Sequence, residues 1–227
     1  MLIFKLIIGI IIQTAILGGL LFLPAGTLCW WRAWLLIGLM FAGSVASSAG
    51  LYPGHKDLLR ERLKSPIQKG QPPADMIILM LFLISFYGLI AFVSLDVFRF
   101  HLMDKPGMLV SSLGLFFSLV GWGIAFFALK ENIFAAPVVK LQEEREQKVV
   151  DSGVYRVVRH PMYAGGILFI VGIPLWLESY AGALLTLVPI GILVLRTLFE
   201  ERFLIRKLKD YETYMKRVRY RLIPFLW

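Results

Sequence analysis

Two short stretches in the second half of the chain concentrate residue types that bind cofactors and orient reacting groups. They comprise Arg159, His160 and Tyr163 in the first stretch, and Arg196, Glu200 and Glu201 in the second. Arginines suit a carboxylate or a phosphate, and carboxylates suit an amine or ribose hydroxyls. The nearby glycines Gly153, Gly165 and Gly166 permit close approach of a ligand to the backbone. The mixture matches a cofactor with an amino acid and a nucleoside, or equally a dinucleotide.

The elements that must position these residues are apolar blocks. The chain has 227 residues, and 58% of them are hydrophobic. The blocks have the length that crosses about 30 Å of hydrocarbon as a helix, and a helix satisfies its own backbone polar groups in lipid. They lack the alternation expected of a membrane β-barrel. We predict six spans, at Leu2–Leu23, Trp34–Leu51, Met76–Val97, Met108–Leu129, Met162–Leu177 and Ala181–Phe199.

The fold class predicted is therefore all-α: a polytopic transmembrane helical bundle. The last two spans contain Pro174 and Pro189 and are joined by so few residues that we expect a tight helical hairpin. That hairpin brings the two polar stretches to one membrane face, where ionisable residues are usually functional. An aromatic, basic, amphipathic C-terminal helix follows. We divide the chain into N-terminal transmembrane helices at 1–130 and a catalytic region at 131–227.

Charge placement indicates the orientation and the broad class. The net charge is +9, but the Lys and Arg residues gather in the connections that share a side with both termini. The opposite side receives only Arg32, Arg99 and Lys105. This is the positive-inside pattern, so we expect cytoplasmic termini, a cytoplasmic site, the lipid bilayer as partner and no nucleic acid. The single cysteine, Cys29, and three isolated histidines predict neither an intramolecular disulfide nor a metal site.

The order of motifs from residue 130 onward resembles a known family. Gln147 to Tyr163 includes S-G-V-Y and R-H-P-M-Y; then come Arg196-x-x-x-Glu200-Glu201 and a tail from Tyr214 to Pro224. This series is similar to that of the isoprenylcysteine carboxyl methyltransferases, integral membrane enzymes, and much of it is shared by the related phospholipid N-methyltransferases. The resemblance covers roughly residues 130–227.

The resemblance implies S-adenosylmethionine as cofactor, S-adenosylhomocysteine as product, no metal and a lipid-tailed or prenylated acceptor. It implies that Arg196 binds and orients the acceptor and that Glu201 belongs with it as a catalytic residue. The implied cofactor-binding residues are Gln147, Lys148, Val149, Val150, Tyr155, Arg159, His160, Pro161, Met162, Tyr163 and Glu200. Lys140 stands where the family has Gln, which puts its contact in doubt. Gly121 and Gly123 either match a G-x-G of the phospholipid enzymes or form a helix-packing face.

The reaction implied is direct methyl transfer to a nucleophile held in line at about 3–3.5 Å, with the protein supplying position and electrostatics. Because Arg196 would orient a carboxylate and repel a protonated amine, we favour carboxyl methylation of an isoprenylcysteine-like acceptor over phospholipid N-methylation. Two further alternatives remain. Membrane sterol reductases, which use NADPH, share an R-H-P-x-Y run, although with Asn where Met162 stands. A carrier or scaffold would be expected to show broken, ionisable mid-membrane helices.

Overall fold

The computed structural model describes residues 1–227, and all of its regular elements are helical. Short 3₁₀ turns at Glu143–Arg145 and Gly153–Arg156 interrupt the long connection between the fifth and sixth α-helices. The α-helices are α1 Leu2–Ala25, α2 Trp31–Leu51, α3 Lys56–Arg62, α4 Pro73–Leu95, α5 Met108–Glu131, α6 Pro161–Trp176, α7 Tyr180–Leu185, α8 Leu187–Lys207 and α9 Tyr211–Arg217.

The six predicted spans correspond to six apolar helical segments. Five are long and apolar enough to cross a membrane, with α4 continuing as a π-helical turn to Phe100 and with α7 and α8 forming one segment. The sixth, α6, has 16 residues. Because α8 continues to Lys207, its charged final turns extend the helix beyond the predicted end at Phe199. The chain is thus an integral, multi-pass membrane protein.

Helices α5 and α6 pack so closely that their backbones touch. A Cβ at Gly121 would overlap the carbonyl oxygen of Gly165, and a Cβ at Gly172 would overlap that of Gly114. These glycines recur every seven residues on each helix, which places them on one face. Small residues allow such close approach between membrane helices, where dispersion replaces the hydrophobic drive. The pair α5–α6 therefore fixes the position of the start of α6, which carries the first polar stretch.

The connection from α6 to α7 is short, as predicted for the hairpin, and spans Leu177 to Ser179. Along its length, however, α6 packs mainly on α5, whereas α8 packs on α4. The connection is held by the buried Arg32, whose guanidinium pairs with Glu178 at 3.0 Å and donates to the Trp176 carbonyl at 3.0 Å. The last two spans are therefore joined tightly at the end remote from the polar stretches.

The packing of α8 on α4 sets up the other end. It brings the first turn of α4, with the fully buried Asp75, beside Arg196 of α8. The amphipathic α9 follows after a turn at Asp210 and buries Tyr211 and Tyr214 against the connection between α5 and α6. The two polar stretches and the chain's last residues therefore meet at one end of the bundle.

Candidate active site

A cavity lies at this end between the α5–α6 connection, the start of α6, the end of α8 and α9. It encloses about 840 Å³ of empty space, counting the part open to solvent. The lining is Asn132, Phe134, Ala135, Ala136, Val138, Val139, Lys140, Gln147, Lys148, Val149, Val150, Tyr155, Arg159, His160, Met162, Tyr163, Arg196, Glu200, Leu204, Leu208, Tyr211 and Tyr214.

Arg159 is anchored on the side of the cavity nearest the C-terminal tail. Its Nε donates to Glu201 Oε1 at 2.6 Å, and its Nη1 donates to the carbonyls of Val218 and Arg219, each at 2.8 Å. Glu201 also accepts from Arg221 Nε at 2.7 Å. Charge-assisted bonds of this kind are among the strongest in proteins. The ion pairs of Glu201 therefore lock the R-H-P turn onto the tail.

The tail also pairs with the backbone of this turn. The Arg159 amide donates to the Tyr220 carbonyl and the His160 amide to the Arg221 carbonyl, both at 2.9 Å. His160 then precedes Pro161 at the first position of α6, where a missing N–H costs nothing. The result is a rigid entry into α6, with the imidazole of His160 stacked on the ring of Tyr163 at 5.6 Å between centroids.

Tyr163 and Glu200 form the polar bridge between α6 and α8. The Tyr163 hydroxyl donates to Glu200 Oε2, while Glu200 Oε1 makes no hydrogen bond to protein. Both residues line the cavity. Glu200 is therefore held in place by one oxygen and presents the other to a ligand.

Arg196 is held at two of its three guanidinium nitrogens in a similar way. Its Nε donates to Asp75 Oδ1 at 3.1 Å, and its Nη2 donates to the Pro137 carbonyl at 2.6 Å. Asp75 is itself saturated, because its Oδ2 accepts from Gln71 Nε2 at 2.7 Å and from the Val139 amide at 2.9 Å. Arg196 Nη1 has no protein partner, so the fixed guanidinium keeps one donor for a ligand.

Lys140 ties the cavity wall to the loop between α2 and α4. Its Nζ donates to Glu61 Oε2 at 2.8 Å and to Gln68 Oε1 at 2.9 Å. Burial opposes ionisation of Glu61, but hydrogen bonds from Lys140 and Lys64 hold its pKa below the ordinary value. The ammonium group of Lys140 is thus committed to this loop, although its side chain lines the cavity.

Three tyrosines complete the polar lining. The Tyr214 hydroxyl donates to the Tyr155 carbonyl at 2.8 Å, and Asn132 Nδ2 donates to the Tyr155 hydroxyl at 3.3 Å. Burial raises the pKa of Tyr155 to about 12, so this phenol stays neutral at physiological pH. The Tyr211 hydroxyl is buried and has no partner. Because an unsatisfied buried hydroxyl is costly, its place in the lining indicates a ligand that bonds to it.

Most of the residues predicted for the site meet at this cavity. Pro161 is buried behind the lining as the first residue of α6, and Glu201 faces Arg159, His160 and Arg221. The others line the cavity, namely Gln147, Lys148, Val149, Val150, Tyr155, Arg159, His160, Met162, Tyr163, Arg196 and Glu200. Pro161 and Glu201 are therefore the two predicted site residues that do not line the cavity.

The glycines have a different role from the one expected of them. Gly165 packs against α5, and a Cβ at Gly153 would lie 2.6 Å from Glu131 Oε2. No glycine lines the cavity. Gly121 belongs to the α5–α6 contact, which favours the packing alternative for the G-x-G of α5.

Two functional candidates were missed in the sequence. An acidic residue in the first turn of a helix is ordinary, because it complements the helix dipole, so Asp75 carried no signal. Tyr211 was one of several tail aromatics that suit an interfacial anchor. Pairing of span three with span six would have found Asp75, but hydropathy does not give helix neighbours.

Comparison with known proteins gives the class. The sequence profile of the phospholipid methyltransferase family (PEMT) matches residues 83–210, more than half of the 227-residue chain. The chain therefore belongs to this family, which includes members like the isoprenylcysteine carboxyl methyltransferases. It is a membrane methyltransferase that depends on S-adenosylmethionine. A search of curated proteins finds no match.

The cavity fits this cofactor. The amino-acid and ribose parts of S-adenosylmethionine carry donors for the free Glu200 Oε1. A polar atom of the cofactor would also supply a partner for the Tyr211 hydroxyl, which has none in the protein. Apolar side chains such as Val149, Met162 and Leu204 supply walls for an adenine ring. Family membership and this donor set favour methyl transfer over the reductase, carrier and scaffold alternatives.

Proposed function

We propose that this protein methylates the carboxylate of a lipid-tailed acceptor of the isoprenylcysteine type. The observation that carries the proposal is Arg196, whose guanidinium is fixed at two nitrogens and retains a donor at Nη1. A carboxylate on the acceptor would accept a hydrogen bond from this nitrogen. A protonated amine has no lone pair and cannot accept one. Asp75 cancels much of the long-range charge of Arg196 but does not change the direction of its N–H groups.

The state of the carboxylates supports the same choice. A protonated amine must lose a proton before it can attack, and that step calls for a base within reach. Among the three carboxylates of Asp75, Glu200 and Glu201, both oxygens of Asp75 and of Glu201 are already bonded, and only Glu200 Oε1 is free. We assign that oxygen to the cofactor. A carboxylate acceptor needs no base and suits the groups that remain.

S-adenosylmethionine supplies an electrophilic methyl group carried on a sulfonium. For this chain we assign Glu200 and Tyr211 to holding the cofactor and Tyr163 to fixing Glu200. Gln147 to Val150, Tyr155 and Met162 form the walls. Arg196 Nη1 orients the acceptor oxygen, and apolar walls exclude water, so the interaction between anionic nucleophile and cation is less screened than in solvent.

Arg159, His160, Pro161 and Glu201 have positioning roles in this proposal. The ion pairs of Glu201 with Arg159 and Arg221 hold the R-H-P turn against the C-terminal tail. Pro161 begins α6 directly after His160. The connections rich in Lys and Arg and both chain ends lie on the cavity side of the bundle. By the positive-inside rule we assign that side to the cytoplasm.

Calorimetric titration of the detergent-purified protein with S-adenosylhomocysteine and, separately, NADPH tests the cofactor assignment. We expect binding of the former alone. Glu200→Gln should weaken it at least tenfold, because the free oxygen of the carboxylate loses its charge. Glu212→Gln on the exposed face of α9 is the matched control and should bind as the wild type does. Equal affinity in the two variants would remove Glu200 from the site.

Phospholipid N-methylation is the second candidate, because the matched family carries the phospholipid name. Methyl transfer from labelled S-adenosylmethionine to N-acetyl-S-farnesylcysteine and to phosphatidylethanolamine vesicles separates the two. Product from the farnesylcysteine alone supports carboxyl methylation. Product from phosphatidylethanolamine alone contradicts it.

A further inference from the structure

Arg62 is a cation on the surface beside the cavity, and the reaction as described above does not use it. It is the last residue of α3, in the loop between α2 and α4. This loop follows the end of one membrane span and precedes the start of the next, so it lies at the level of lipid head groups. The inner face of α3 is formed by Leu58 and Leu59, which are both buried.

The side chain of Arg62 reaches the rim of the cavity. We use rim for the surface made by Arg62, Ala135 and Met162. Arg62 Nη1 lies 3.2 Å from the Ala135 carbonyl and 3.8 Å from Met162 Sδ, and both of these residues line the cavity. The loop cannot swing freely, because Glu61, the preceding residue, is bonded to Lys140 in the cavity wall.

Unlike its neighbours, Arg62 has no acidic partner. Arg60 pairs with Asp57 at 2.6 Å, and Lys64 and Lys140 share Glu61. Arg62 makes no ion pair, and its exposed guanidinium stands at the rim beside Ala135 and Met162. An arginine without a carboxylate partner has N–H groups available to an oxyanion. The rim is therefore a position at which an anionic group can bind.

We propose that Arg62 is a specificity-determining residue that binds the anionic head of the lipid acceptor at the rim. The proposal rests on the function proposed above, and it adds a second recognition point separate from Arg196. A carboxylate and a phosphate share the required chemistry, since either accepts the guanidinium N–H groups. The exposed side chains of Leu63 and Ile67 give the acceptor's tail an apolar path along the same loop.

Binding of three single-tailed probes in neutral detergent tests the proposal: hexadecanoate, hexadecyl phosphate and hexadecan-1-ol. The full-length protein is titrated with each, with and without S-adenosylhomocysteine. Arg62→Gln should weaken binding of at least one anionic probe about tenfold and leave the alcohol unchanged. The anion that loses affinity identifies the head group that the rim recognises. The affinity of Arg62→Lys for that anion should lie between those of Arg62→Gln and the wild type, because the lysine ammonium is a point charge and lacks the planar, two-pronged guanidinium.

Arg60→Gln is the matched control, since it removes the same charge from the same helix at a paired, exposed position. It should stay within twofold of the wild type for all three probes. Equal anion affinities in Arg62→Gln and Arg60→Gln, or a wild-type protein that binds the alcohol as tightly as both anions, would overturn the proposal. Failure of wild-type protein to bind S-adenosylhomocysteine would instead count against the proposed function, while the comparison of the two arginine variants would still stand.

Discussion

Replacing Asp75 with Asn tests how the N-terminal half supports the catalytic region. Asp75 is fully buried and uses both carboxylate oxygens, one for Arg196 and the other for Gln71 and the Val139 amide. All of these partners are donors. An Asn has one oxygen and one NH₂ group, so in either amide orientation a donor faces a donor. The change therefore removes the counter-charge of Arg196 and breaks at least one buried hydrogen bond.

The magnitude follows from the burial of the pair. Removing one partner of a buried ion pair costs about 3–5 kcal/mol, because the remaining charge is left uncompensated. Arg196 keeps its bond to the Pro137 carbonyl, so we expect the lower end, about 3 kcal/mol in the free energy of unfolding. Asp57→Asn, in the exposed pair with Arg60, should change it by about 0.5 kcal/mol or less.

Unfolding in mixed micelles of neutral detergent and SDS measures these free energies. The double variant Asp75→Asn/Arg196→Gln should be less destabilised than the sum of the single changes, because it leaves no isolated charge. In the single variant, kcat/KM for the acceptor should fall more than affinity for S-adenosylhomocysteine, since Arg196 is assigned to the acceptor. Wild-type stability in Asp75→Asn, or strict additivity in the double variant, would refute the reasoning.

Further substitutions test the helix packing and the tyrosines of the cavity. Gly172→Ala should destabilise the α5–α6 pair by about 1–3 kcal/mol through overpacking. Gly123→Ala, at a position where nothing lies within 4 Å, should instead stabilise α5 by roughly 0.5–1 kcal/mol. The free energies of unfolding of the two variants measure the difference. Tyr211→Phe should weaken S-adenosylhomocysteine binding about fivefold, from one lost hydrogen bond of about 1 kcal/mol, without loss of stability, and Tyr220→Phe should bind normally. Burial in the folded protein raises the pKa of Tyr155 to about 12. The contribution of the neutral Tyr155 phenol to stability is therefore complete below about pH 10 and is lost as the pH rises toward 12. Between those two pH values, the melting temperature of Tyr155→Phe should fall less than that of the wild type.

The sequence predicted the spans well because hydropathy reports directly on the solvent around a helix. The six apolar segments, the fold class and the common end shared by the polar stretches all follow from helix length and from the number of crossings. Motif order gave the family. The precise ends of α4 and α8 differed because polar residues continue these helices past the apolar core.

Neighbour relations between helices were not accessible in the same way. Gly165 was expected beside the ligand, yet it packs on α5. The sequence does not show whether a glycine is needed for its backbone freedom or for its small size, so the two roles could not be told apart. Asp75 and Arg62 contact partners far along the chain, Arg196 and Met162. Both also lie before residue 83, outside the matched family region. Such contacts depend on three-dimensional packing that periodicity does not encode.

The pairing of the C-terminal tail with the R-H-P turn has a consequence for biosynthesis. The amides of Arg159 and His160 bond to the carbonyls of Tyr220 and Arg221, so each partner is synthesised 61 residues after the amide that it binds. At about 5–20 residues per second, translation leaves a gap of several seconds between the turn and its partners. During that interval the spans can insert into the membrane while the R-H-P turn still lacks its backbone partners. The nascent chain therefore commits to the bilayer before it becomes competent to bind its cofactor.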